Sequence, residues 1–201
     1  LKELRVRRIE IVERRIARAR THVEVAEIPG GGGGDLDDNY DRAAAVTVLA
    51  AAVARLTEAA AVIWHTSHRA VSAGELARLT AALAQGQAPV SLWLGRAGRP
   101  ARAGGAATRG LLPLFGAEIE VEARDLPTDA AFEIACDMAQ EVLRSGAPPE
   151  DGARLGYDRT TEFGVRYRTN AHPGAAPAVV LSQIARPAGA PAGIKVAASA
   201  A

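Results

Sequence analysis

The sequence predicts an α+β fold: a mixed β-sheet of about five to seven strands with the main helices packed against it, in a single domain. Three observations lead there. Strand-length apolar runs and helical stripes alternate through the first half of the chain, as at Ala60 to Trp64 followed by Leu76, Leu79 and Leu83. Ile119 and Val121 then alternate with Glu118, Glu120 and Glu122, a period-two pattern with an acidic outer face expected to be wet. Late in the chain strands cluster, with Phe163, Val165 and Tyr167 alternating against Glu162, Gly164 and Arg166 before the apolar run Val179 to Ile184.

Taken in order, residues 1–20 read as a basic helix on the stripe Ile9, Val12 and Ile16. Residues 21–185 form the α+β domain, and the Ala, Pro and Gly-rich stretch 186–201 is expected to be a disordered tail. The chain opens on leucine, which leaves its natural N-terminus, and a further strand upstream of Leu1, open. His22 to Ile28 is strand-like and stops at Pro29 and the glycines Gly30 to Gly34. Asp38 or Asn39 can cap the next helix, which runs through Thr57, by accepting an otherwise unpaired first-turn amide.

Ala60 to Trp64 is a strand, and Ser72 with Glu75 has the capping-box spacing of a helix start, with Val71 and Leu76 as its hydrophobic staple. Gly86 ends that helix, and Val90 to Leu94 reads as another strand. Gly95 to Gly110 has the composition of a mobile loop. Thr128 or Asp129 caps a helix whose apolar side is Phe132, Ala135, Cys136, Ala139, Val142 and Leu143, closed by Gly146. Cys136 is thereby placed in the core. A strand, with room for a hairpin, follows between Tyr157 and Tyr167.

Composition narrows function mainly by exclusion. The formal net charge is +1 over 201 residues, so no global field recruits nucleic acid or an acidic membrane. Charge is uneven, however: Lys2, Arg5, Arg7, Arg8, Arg14, Arg15, Arg18 and Arg20 outnumber Glu3, Glu10 and Glu13 at the start. Nucleic-acid binding through that segment is the third-ranked function, because the glutamates can pair within the helix and no nucleic-acid module follows. The longest apolar stretch, Ala43 to Ala54, falls well short of the roughly 20 residues of a membrane span. A single cysteine and the lack of a signal-peptide pattern point to the cytoplasm. Abundant alanine, with Lys2 and Lys195 the only lysines, suggests a GC-rich bacterial genome.

The glycine run has the position of a phosphate-binding loop but not its chemistry, since no Gly-Lys-Ser/Thr follows and Asp35, Asp37, Asp38 and Asp41 would repel an anion. Asp35, Asp37, Asn39 and Asp41 have the odd-numbered spacing of a Ca²⁺ loop, but Tyr40 stands where glycine is needed and Val46 where a bidentate glutamate is needed. His65 and His68, flanking Thr66 and Ser67 at a strand end, are the best enzymatic candidates. Two imidazoles can hold a metal, or one can activate Ser67 or Ser72 as a general base. No third ligand is evident, although His22 or His172 can converge in space, so neither a metal nor a cofactor is expected. Trp64 and Trp93, on predicted strands, are assigned to the core.

From about Thr21 to Tyr167 the order of segments resembles the bacterial domain of unknown function family 4261. The residues carrying this are Ala61-Val62-Ile63-Trp64-His65-Thr66, Val71-Ser72, Pro89-Val90 with Leu92-Trp93-Leu94, and Thr108 with Gly110-Leu111. They continue through Phe115-Gly116, Glu118-Ile119-Glu120-Val121, Asp151-Gly152 with Gly156, and Val165-Arg166. The resemblance implies an α+β domain and brings no catalytic residue with it. Without a convergent nucleophile, base and cofactor set, the leading expectation is a non-catalytic domain with a protein partner, a regulatory, immunity-like or assembly component. A small enzyme built on His65 and His68 is the alternative.

Overall fold

A computed structural model describes residues 22–25, 35–97, 105–123, 125–158, 161–169 and 176–185. The basic start, the glycine run Gly30 to Gly34, His172 and the tail 186–201 lie outside them. Residues 22–25 are described and carry no strand, so the strand expected from His22 is not seen there. The fold class is α+β, in two compact units that divide between Trp93 and Leu94.

In the first unit, helix α1 spans Leu36–Leu56. Its cap is Asp35, whose carboxylate accepts the Asp38 amide at 2.9 Å. Asp38 and Asn39, the expected caps, are therefore inside the first turn, where Asp37 and Asp38 face the positive end of the helix dipole. Thr47, Ala50 and Ala54 form its buried side. Thr47 donates to the Ala43 carbonyl and accepts the indole N–H of Trp93 at 2.9 Å, while Tyr40 meets the same indole edge-on with centroids 5.5 Å apart.

Strands β1 (Val62–Trp64) and β2 (Arg69–Val71) form an antiparallel hairpin in which Trp64 pairs with Arg69. Helix α2 (Ala73–Leu83) starts as the sequence predicts: Ser72 accepts the Glu75 amide at 3.1 Å, and Val71 and Leu76 are both buried beside it. The helix ends at Ala84, two residues short of Gly86, which takes the left-handed φ of +77° that closes the turn.

The strand expected at Val90 to Leu94 is instead a single helical turn, α3 (Val90–Trp93). Pro89 starts it, its carbonyl accepting the amides of Leu92 and Trp93. In a run this short, with Val90, Leu92, Trp93 and Leu94 all in the core and Ser91 exposed, no period separates helix from strand.

The second unit is built on a six-stranded mixed sheet in the order β3-β4-β5-β8-β7-β6. Its strands are β3 (Gly95–Arg96), β4 (Ala106–Arg109), β5 (Glu118–Glu122), β6 (Arg154–Gly156), β7 (Thr161–Arg168) and β8 (Ala178–Ala185). Neighbours are antiparallel except β5 and β8, which run parallel and are linked through helix α5 (Thr128–Ser145) and the β6–β7 hairpin. Ile119, Val121, Phe163, Val165, Val179 and Leu181 make the buried face, and α5 packs on β4 and β5.

Three expectations are corrected in this unit. The stretch Gly95 to Gly110 is not wholly loop: its two ends pair as β3 and β4, with Ala106 and Thr108 buried, and only 98–104 fall outside the described residues. Neither Thr128 nor Asp129 caps α5; Pro127 precedes it without a side-chain bond, and Asp129 pairs with Arg96 at 2.7 Å. Cys136 is half-buried, because the buried row of α5 is Ala131, Ile134, Ala135, Ala139 and Val142, one position round from the predicted stripe. Gly146 ends the helix with a φ of +73°, as expected.

Candidate functional site

His65, Thr66, Ser67 and His68 form the turn of the β1–β2 hairpin, so the strand before them leads into a second strand before any helix. Both imidazoles are exposed, and His68 adopts a φ of +54°, a left-handed turn conformation uncommon outside glycine. Between them Ser67 is only 2 % exposed and donates its hydroxyl hydrogen to the Leu92 carbonyl at 2.6 Å. Arg69 adds a bond from Nε to the Ser91 carbonyl at 3.2 Å. A one-turn helix leaves its last carbonyls without intrahelical donors, and the hairpin supplies two. Ser67 therefore spends its proton on the scaffold, and Ser72 spends its oxygen on a helix cap.

A nucleophile needs a base within hydrogen-bond reach; neither serine has one among its hydrogen bonds to the backbone here. Among the described residues no group of three or more His, Cys, Asp or Glu side chains is placed to hold a metal ion. Asp35, Asp37, Asn39 and Asp41 stand at the cap and in the opening turns of α1, where a helical backbone cannot wrap them round a cation.

On β5 the alternating glutamates share a face that is less wet than the sequence suggests. Glu118 accepts the Thr108 hydroxyl at 2.8 Å and the amides of Gly110, Leu111 and Leu112. It thereby acts as the anionic cap of α4 (Leu112–Phe115), a helical turn whose own Leu111 offers no capping side chain. Glu120, 4 % exposed, accepts from Arg168 on β7 through Oε2, while its Oε1 is buried with no partner among the described residues. Glu122 accepts from Ser182 at 3.1 Å and has Arg166 at 3.9 Å. Across β8, Glu120 and Glu122 are each opposed by an arginine, while Glu118 is held by a hydroxyl and backbone amides.

A further feature among the described residues is apolar. In α1 the exposed residues Ala45, Val48, Leu49 and Leu56 recur at helical spacing on one face, opposite the buried Thr47, Ala50 and Ala54. Val48 is 50 %, Leu49 54 % and Leu56 78 % exposed. Ile63 on β1 is also exposed. Helices that are apolar all round are normally covered on both sides. Sequence reasoning passed this face over, although the signal was the stretch Ala43 to Ala54 itself: too short for a membrane and too apolar for a free helix face.

No family model matches the chain, and no curated protein or solved structure matches it. No helix among the described residues is long and apolar enough to cross a membrane.

Proposed function

We propose that this chain is a non-catalytic protein-interaction module, a bacterial regulatory, immunity-like or assembly component of the cytoplasm, and that α1 is its contact surface. The observation that carries the reading is the apolar face of Val48, Leu49 and Leu56, held out on a helix whose other side is fixed by the Thr47–Trp93 hydrogen bond. The resemblance to family 4261 belongs to the same proposal and adds no activity to it.

The test compares the wild-type chain with Val48→Glu/Leu49→Glu as bait for stoichiometric partners, a second copy included. Both positions are exposed, so the fold should tolerate the change. Association lost in the variant is the expected result; association unaffected by it, or none at all, would overturn the reading.

A second reading, a small enzyme, is favoured by one observation: both imidazoles are displayed on a single turn. It requires a substrate to supply the groups that the hairpin lacks.

A further inference from the structure

The apolar residues of the α1 face are exposed, and the charges at its two ends point to an occupant. With about 100° of rotation per residue, Asp38, Asp41, Ala45, Val48, Leu49, Ala52 and Leu56 fall on one stripe of the helix. Arg55 lies along its edge, on the same flank as Asp41. Asp38, Asp41, Arg55 and the apolar residues other than Ala52 are exposed. The stripe is thus acidic at its N-terminal end and uncharged from there to Arg55 on its C-terminal edge, while Arg42, half-buried and bonded to Asn39, lies along the opposite edge.

We propose that a second copy of this chain covers this face, the two α1 helices packing antiparallel about a twofold axis level with Val48 and Leu49. The proposal rests on the reading of α1 as a contact surface and names its partner. In that arrangement Ala45 faces Ala52 of the other copy, Val48 meets Val48 on one flank of the axis, and Leu49 meets Leu49 on the other. The alanines, one heptad apart, let the two backbones approach closely along the seam. Arg55 of each copy comes level, within about 1.5 Å of axial rise, with Asp41 of the other, and on the same flank. Two symmetric ion pairs therefore bracket the apolar centre. A parallel pair would carry the two copies of Arg55 to opposite flanks and leave each without an acidic neighbour on the other helix. The contact is isologous and closes at two copies.

One helix face is smaller than a standard interface of roughly 1,600 Å², so the association is expected in the micromolar range. Sedimentation equilibrium of the full chain from about 1 to 300 µM should give a monomer–dimer equilibrium. Val48→Glu should weaken it at least tenfold, with the far-ultraviolet circular dichroism unchanged. Asp41→Arg and Arg55→Asp should each weaken it by about three- to tenfold, and the double variant, which restores opposite charges with the signs exchanged, should return to within about twofold of wild type.

A monomer throughout this range, or a dimer indifferent to Val48→Glu, would overturn the proposal. Single charge variants without recovery in the double variant would overturn the antiparallel pairing. A monomeric chain that still holds a different protein through Val48 and Leu49 would refute the second copy while leaving the interaction reading intact. A monomer that holds nothing through them would refute both.

Discussion

The hydroxyl of Ser67 reaches the carbonyl of Leu92 at 2.6 Å, and this bond ties the turn of a two-stranded hairpin to the last turn of a four-residue helix. Neither element is stable by itself: an isolated hairpin is marginal in water, and a single helical turn has not recovered its nucleation cost. Each supplies what the other lacks, a donor from the turn and an acceptor from the helix end. The two exposed imidazoles owe their fixed position to this buried serine between them.

Ser67→Ala should therefore destabilise the protein by about 1 to 3 kcal/mol, the cost of leaving a buried acceptor without its donor. The denaturant midpoint measures it. An unchanged midpoint would mean that water or another group satisfies the Leu92 carbonyl.

Glu120 and Arg168 allow a sharper experiment, because one oxygen of the buried carboxylate already lacks a donor. Arg168→Ala removes the cation paired with that carboxylate and should cost about 2 to 3 kcal/mol, whereas Arg168→Met with Glu120→Leu, which removes both charges, should cost less than the single change. Urea unfolding of the three proteins decides the order. A double variant less stable than Arg168→Ala would show that the ion pair itself stabilises the sheet.

What could be read from the sequence follows the range of the interactions involved. The start of α2 was legible because a helix cap is local: Ser72, Glu75, Val71 and Leu76 lie within one turn and act on one another. Strands β5 and β7 were legible because alternation survives in the chain, and β8 because it is a short apolar run of strand length. Whether the second face of β5 is wet was not, because β8 and Arg168 arrive from about 50 residues further on and bury Glu120. Val90 to Trp93 failed for the opposite reason, being a short run buried except at Ser91 and hence without a readable period. The stripe of α1 was visible as composition, but which side the rest of the unit leaves uncovered is a tertiary fact.

The phenol of Tyr157 on the second unit donates to the Asp137 carboxylate on α5 at 2.7 Å. That hydrogen bond, then burial, then the negative charge of Asp137, with smaller effects from Glu133 and Asp158, hold the phenol in its protonated form and push its pKa up to about 12. In the unfolded chain the same phenol ionises near 10, as an ordinary tyrosine does. Below 10 both states hold the proton and the bond contributes its full stability. Between about 10 and 12 the unfolded state releases the proton and the folded state keeps it, so stability falls as pH rises, and above 12 the contribution is gone. Tyr157→Phe removes this dependence. Chemical denaturation of both proteins between pH 8 and 11 should thus give a stability difference that narrows above about pH 10, and absorbance at 295 nm should show one tyrosine fewer titrating late in the variant. A difference that stays constant across this range would mean that the Tyr157 hydroxyl does not hold its proton against Asp137 in solution.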